Sequence, residues 1–387
     1  MAKKVKLANK FLIGAAINLY GKTTFKKNVK LITDGTLAKL KPPFVVVANH
    51  ASFVDVGGLI MSMYPNCANF VISVTQLVQW PSLIKSMGVL PKKQFTVDTS
   101  LIRDIKYVLS QNRPVVIYPE AKLSVVGTPN VIKPAIAKLV KMLKVPLVTV
   151  CFNGTYLHKP RWTKTKRKVP VRLDVKVAVD KDEIDTITAG EIHERIVNNL
   201  SYDDYAYQLE NNIEIDVPDL VEGLENILYK CPECGQEFVM SGHGHTLTCQ
   251  KCQHSVTQNK LGQLEGGKFD KVTDWYKWQT DCVRDEVADP TYRFEGTFGA
   301  EKLVGKKYKD MGVAVIVHDK DGITATFAEQ SIHYKAGAFY TLSFNNDYNY
   351  LPTAEAVYRF KRYGNVGCTT KLNLAVEQQT ILLEQSK

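Results

Sequence analysis

His50 and Asp55 stand five positions apart in Asn49-His50-Ala51-Ser52-Phe53-Val54-Asp55, directly after the apolar run Phe44–Ala48. An imidazole with an ordinary pKa of ~6.5 is largely neutral at pH 7 and can take a proton. A carboxylate beside it fixes the tautomer and stabilises the imidazolium that forms. In isolation such a pair more often reads as a loop histidine and a helix-capping aspartate. A second segment changes that balance. The apolar run Val115–Tyr118 leads into Pro119-Glu120-Ala121-Lys122-Leu123-Ser124, again placing an acidic residue straight after a buried strand. In an α/β sheet, ligands gather at the loops that follow strand C-termini, so both segments can share one rim.

A different chemistry is written at Cys231-Pro-Glu-Cys234 and Cys249-Gln-Lys-Cys252. Two C-x2-C pairs at this separation form the pattern of a structural zinc site, each knuckle turning two thiolates inward. Gly235 supplies the permissive backbone such a knuckle needs. Four thiolates already close a tetrahedral site, so His243, His245 and His254 read as bystanders. Cys67, Cys151, Cys282 and Cys368 are isolated and read as buried, reduced thiols, which suits a reducing compartment.

The elements that must position these groups follow from periodicity. Strand-like runs at Phe44–Ala48, Phe70–Val74, Val115–Tyr118 and Pro146–Phe152 alternate with helical stretches at about 55–63, 79–87, 98–110 and 133–144. That alternation predicts an α/β domain with a mixed, largely parallel sheet flanked by helices. Residues 191–230 read as helical and acidic, and 268–287 as a helix. From about 291 the chain reads as short strands, with a hairpin signal at Asp321-Gly322. The expected division is 1–215, 216–265 for the ribbon, and 266–387 for a β-rich C-terminal domain. The 387 residues, 45% hydrophobic and 23% charged, exclude a mainly disordered or fibrous chain. The net charge of +11 is unevenly placed: residues 1–180 hold 29 Lys and Arg against 7 Asp and Glu, the remainder 21 against 32. A basic half beside an acidic half predicts an anionic partner for the first only. Two stretches concentrate that charge. Residues 1–30 predict a helix of about three turns with lysines at both flanks, too short to span a bilayer; it could equally pack on the core or lie in a membrane interface. Lys159–Lys168 holds six basic residues and Trp162, a composition that suits a membrane surface or a nucleic-acid backbone.

Taken together, the segments resemble a known family. N-H-A-S-F-V-D at 49–55 resembles the N-H-x4-D motif of the glycerolipid (1-acylglycerol-3-phosphate, or lysophospholipid) acyltransferases. Y-P-E-A-K-L-S at 118–124 is similar to their F-P-E-G-T-R-S, V-P-L-V-T-V at 145–150 to their V-P-I-V-P-V, and Met87-Gly88-Val89-Leu90-Pro91 to their G-x-I-P segment. Order and spacing agree across about residues 40–155. The rest resembles a bacterial subgroup in which a zinc ribbon and a further C-terminal region follow. The resemblance implies that His50 is the base acting on the acceptor hydroxyl, that Asp55 orients it, and that Glu120 binds the acceptor. It implies an acyl-CoA or acyl-ACP donor, with acyl carrier protein as a partner in the second case. Where the family carries phosphate-holding arginines, this chain has Leu123 and the run Lys92-Lys93-Gln94; Ala121 replaces the motif glycine. Lys92, Lys93, Lys122 and Arg103 remain to supply positive charge, as point charges or from elsewhere.

The reading that follows is an acyltransferase of phospholipid biosynthesis. It moves a fatty acyl group from a thioester to a lysophospholipid, contains structural zinc, and works peripherally at an anionic membrane on the cytoplasmic side, with no nucleic acid expected. The alternative is a non-catalytic zinc-ribbon protein that binds nucleic acid. A third reading, motivated by the missing arginines, is a relative that keeps the fold without the activity.

Overall fold

The computed structural model describes residues 5–25, 27–77, 88–92, 98–328, 330–353 and 355–386. The chain forms two compact units: residues 1–160 with 166–213, and residues 161–165 with 214–387.

The first unit is built on a seven-stranded sheet with the order β1-β7-β6-β2-β5-β3-β4. The strands are β1 (Val29–Ile32), β2 (Val45–Ala48), β3 (Asn69–Ser73), β4 (Val89–Lys92), β5 (Val115–Ile117), β6 (Leu147–Asn153) and β7 (Val169–Val179). All neighbours pair in parallel except β6 with β7. The sheet is therefore mixed and largely parallel, as the alternation of elements predicts. Every residue of β2, β5 and β6 is buried, which is why these strands read as unbroken apolar runs: helices cover both faces.

Those helices carry narrow apolar stripes. Thr99–Ser110 buries Leu101, Ile105, Val108 and Leu109, and its N-cap Asp98 accepts from the Leu101 amide. Ala135–Leu143 buries Ile136, Ala137, Val140 and Leu143. Both spacings place the buried residues on one face of a 3.6-residue period. The helix expected at 79–87 lies outside the described residues.

Strands β1, β4 and β7 are absent from the sequence reading. β7 alternates Val169, Val171 and Leu173 with Pro170, Arg172 and Asp174, and it directly follows the basic run at 159–168. A search for continuous apolar runs passes over a half-buried antiparallel strand of that kind. Residues 191–230, read as helical throughout, form two short helices, Ala189–Asn199 and Asp204–Glu210, and then irregular chain to a 3-10 turn at Leu224–Asn226. Gly223 there adopts φ +95, and a Cβ on it would lie 2.1 Å from the Trp162 carbonyl oxygen.

The second unit contains two antiparallel sheets. The ribbon sheet has strands β8 (Met240–His243), β9 (Thr246–Cys249), β10 (Ser255–Gln258) and β11 (Leu264–Glu265), in consecutive order. The larger sheet spans β12 (Arg293–Val304), β13 (Lys307–Asp319), β14 (Gly322–Phe327), β15 (Gln330–Lys335), β16 (Ser343–Phe344), β17 (Tyr348–Pro352) and β18 (Val357–Arg362), in the order β15-β14-β13-β12-β18-β17-β16. The hairpin at Asp321-Gly322 is present, with Asp319 paired to Gly322. The helix Val272–Ala288 matches its prediction, and a second one, Cys368–Gln385, closes the chain.

Candidate active site and metal centre

Strand β2 ends at Ala48 and delivers Asn49 and His50 to the C-terminal rim of the sheet. Asn49 is fully buried, and its amide is clamped to one residue of β6: Nδ2 donates to the Phe152 carbonyl at 2.9 Å and Oδ1 accepts from the Phe152 amide at 2.7 Å. A side chain that imitates a strand partner fixes where His50 begins. The chain then turns into the helix Val54–Met63, whose first turn contains Asp55.

Asp55 is fully buried. Its Oδ2 accepts from the Ala51 amide at 2.7 Å, from the Ser52 amide at 2.9 Å, and meets His50 Nδ1 at 3.1 Å. The carboxylate thus does what both sequence readings required: it caps its own turn and also holds the histidine. The His50 side chain keeps 19% exposure, and Nε2 has no hydrogen-bond partner among the described residues. An imidazole tethered through Nδ1 with Nε2 open has the form of a general base. The ring of Tyr118, the residue after β5, lies against His50 with centroids 4.2 Å apart and planes 24° from parallel.

Glu120 sits on the adjacent loop because β5 is the parallel neighbour of β2, with Val47 opposite Ile117. It is buried, and both carboxylate oxygens are engaged within the protein. Oε1 accepts from the His50 amide at 3.0 Å; Oε2 accepts from the Asn130 amide at 2.9 Å and from Asn130 Nδ2 at 2.8 Å. Burial pushes its pKa up to about 7, against the hydrogen bonds from Asn130 and His50, which favour the ionised form. In this geometry Glu120 ties the loop at 130 to the backbone of His50. The Ser124 amide adds a second tie, donating to the His50 carbonyl at 2.8 Å. Asn49, Tyr118 and Ser124 stand within the motifs at 49–55 and 118–124 without a role assigned from the sequence, and Asn130 lies outside them.

The cationic candidates fall in different places. Lys92 is exposed at the end of the edge strand β4, opposite Ser73 of β3. From β2 through β5 and β3 to β4 is three strand spacings, about 14 Å along the same rim. Lys122 is buried on the Glu120 loop. Arg103 is exposed on the helix Thr99–Ser110, its Nε 3.7 Å from Asp104 Oδ1. Lys93 lies outside the described residues. The basic run at 159–168 differs from its expected form. Lys159, Lys164, Lys166 and Lys168 are exposed, but Trp162 and Arg167 are buried. Trp162, 3% exposed, is therefore not an interfacial or base-stacking aromatic.

In the second unit the four cysteines converge. The Sγ atoms of Cys231, Cys234, Cys249 and Cys252 all lie within 4.8 Å of one another, with Cys231–Cys252 and Cys234–Cys249 at 3.7 Å. Tetrahedral Zn–S bonds of about 2.3 Å place sulfurs roughly 3.8 Å apart, so the donor set fits one tetrahedral thiophilic ion. Gly235 has φ +71, and its amide donates to the Cys231 carbonyl at 3.0 Å, closing the first knuckle. Among the neighbouring histidines, His245 Nε2 is bound to the Val217 carbonyl. The remaining four cysteines are free thiols.

No curated protein matches the chain. Among solved structures it is similar to the 1-acyl-sn-glycerophosphate (LPA) acyltransferase PlsC from Thermotoga maritima, at 19% identity and a TM-score of 0.42, over 54% of this chain and 83% of that one. Residues 16–153 match the family model described as Acyltransferase. That span includes the His50–Asp55 pair, Tyr118 and Glu120, and the first unit of the chain accordingly carries an acyltransferase-family domain.

Proposed function

We propose that the protein transfers a fatty acyl group from an acyl thioester to the hydroxyl of a lysophospholipid, with His50 as general base and Asp55 as its orienting carboxylate. The observation that carries the reading is the tether itself: Nδ1 is occupied by a buried carboxylate, while Nε2 has no hydrogen-bond partner among the described residues. The acceptor hydroxyl gives its proton to Nε2 as its oxygen attacks the thioester carbon. The tetrahedral intermediate collapses with cleavage of the C–S bond, and the imidazolium returns its proton to the departing thiolate. Asp55 stabilises the imidazolium in between. The intact pair favours an active enzyme over a relative that has lost its chemistry, despite the absent arginines. Lys92, on the same rim, is the group we assign to the acceptor's anionic head.

Membrane association at the cytoplasmic face belongs to the same proposal. The helix Lys10–Tyr20 packs Ile13, with Ile17 beside it, against Cys67 and Ile60. Its other face presents Phe11, Ala15 and Leu19 at i, i+4 and i+8, Phe11 being 82% and Leu19 72% exposed. Three residues after His50, Phe53 is also exposed. No described helix is long and apolar enough to cross a membrane, so a lipid acceptor would be met by shallow insertion of this kind. The structural ion held by the four converging cysteines is assigned as zinc. The acceptor and donor are tested by assaying purified protein against a panel of lysophospholipids with acyl-CoA and acyl-ACP. Turnover with at least one lysophospholipid is expected; a panel without turnover under either donor contradicts the proposal.

A further inference from the structure

One tether does not fix a ring. The bond from His50 Nδ1 to Asp55 places a single atom, and torsion about the Cβ–Cγ bond of a histidine is broad and roughly two-fold. The orientation of Nε2 therefore needs a second restraint, and the stacked ring of Tyr118 is in place to supply it. We infer that Tyr118 is a positioning residue for His50, its ring clamping the imidazole so that Nδ1 stays on Asp55 and Nε2 stays turned away from it, with the hydroxyl playing no part. This rests on the reading of His50 as the base.

Three observations support it. The register of β5 against β2, Ile117 opposite Val47, brings the residue after β5 beside the segment that carries His50. The ring planes are nearly parallel at contact distance, and an aromatic face also attracts the imidazolium formed during proton transfer. Among the described residues the buried Tyr118 hydroxyl has no hydrogen-bond partner, and neither does Asp55 Oδ1. Burial first, and then the Asp55 charge, push the phenol's pKa well above its ordinary value, so it holds its proton and stays neutral. A buried hydroxyl without a partner is a cost to the fold, which separates what the ring does from what the oxygen does.

The test compares Tyr118→Leu with Tyr118→Phe in the full chain. Steady-state kinetics would use the best donor and lysophospholipid pair from the panel. The downfield proton resonance of the His50 Nδ1–H would be followed by NMR without substrate. Tyr118→Leu is expected to lower kcat about tenfold, with KM within about twofold, and to broaden the N–H resonance through exchange with water. Tyr118→Phe is expected to restore kcat and the resonance, with a Tm equal to or above that of the parent. Should the leucine variant lose its near-UV circular dichroism, Tyr118→Met carries the same comparison with a longer side chain. A leucine or methionine variant with parental kcat and a sharp resonance overturns the inference; so does a phenylalanine variant as impaired as the leucine one. His50→Ala, run alongside, separates the two failures. If it keeps turnover, the base assignment itself falls; if it is inactive while Tyr118→Leu is unaffected, only the clamp falls.

Discussion

Asp55 Oδ2 takes three hydrogen bonds at once, two from backbone amides and one from His50. The spacing of five is what permits this: the histidine lies just before the turn and the aspartate in the first helical turn, facing back over it. Residue type and spacing made that pair legible in the sequence. The supports around it were not legible, because each depends on a residue far away in the chain. Asn49 binds Phe152, Glu120 binds Asn130 and the His50 backbone, and Tyr118 stacks on His50. Glu120 itself stands out by its position after a strand, and the structure engages its carboxylate with Asn130 and the His50 amide. The same loop contains a local misfit. Ala121 has φ +60, a left-handed conformation that costs an L-residue with a Cβ about 1–2 kcal/mol, and it occupies the position where the resembling motif carries glycine. Ala121→Gly is therefore expected to stabilise the first unit by about 1 kcal/mol, after the entropy that glycine gains in the unfolded chain. That corresponds to a rise in Tm of ~2–4 °C, read by thermal unfolding. An unchanged or lower Tm would show that the loop has already accommodated the methyl group.

At the scale of elements, legibility followed burial pattern. Strands buried on both faces and helices with one apolar stripe were read correctly, and so were the two cysteine knuckles. The helix Cys368–Gln385 was not, since it is buried nearly all round with polar side chains that find specific partners. Lys371 Nζ binds Glu237 at 2.8 Å and also Glu286, Asn373 Oδ1 accepts from the Leu342 amide, and Gln379 reaches His318 and the Asp319 carbonyl. A helix of that kind has no amphipathic period to detect. Short ribbon strands such as β11, only two residues long, hold little apolar surface. An ion bound by the four cysteines would therefore contribute folding free energy directly. Metal analysis of gently purified protein is expected to give one zinc per chain, and Cys231→Ser should lower the metal content and destabilise the second unit. Protein without zinc, or a serine variant of unchanged stability, would contradict that role.

Over the whole chain, the division of charge gives the broadest prediction. The first 180 residues carry the surplus of Lys and Arg, and the helix Lys10–Tyr20 adds exposed Phe11 and Leu19. Each basic residue near an anionic surface is worth about 1 kcal/mol, within a Debye length. Pelleting with liposomes is expected to rise with anionic lipid and fall with salt. Removing residues 1–30 should weaken it, and changing exposed Lys164, Lys166 and Lys168 to Glu should weaken it further. Equal binding to neutral and anionic vesicles at all salt concentrations would assign the basic surface to the substrate or a soluble carrier instead. Beneath these outer features lies the chemistry proposed at His50, and one measurement reaches it directly: acyl transfer by His50→Ala beside the parent protein, with folding checked by circular dichroism and zinc content. With the base removed and the fold retained, turnover should drop by a factor of at least ~100. A folded His50→Ala protein that transfers acyl groups at the parental rate would contradict the assignment of His50 as the base.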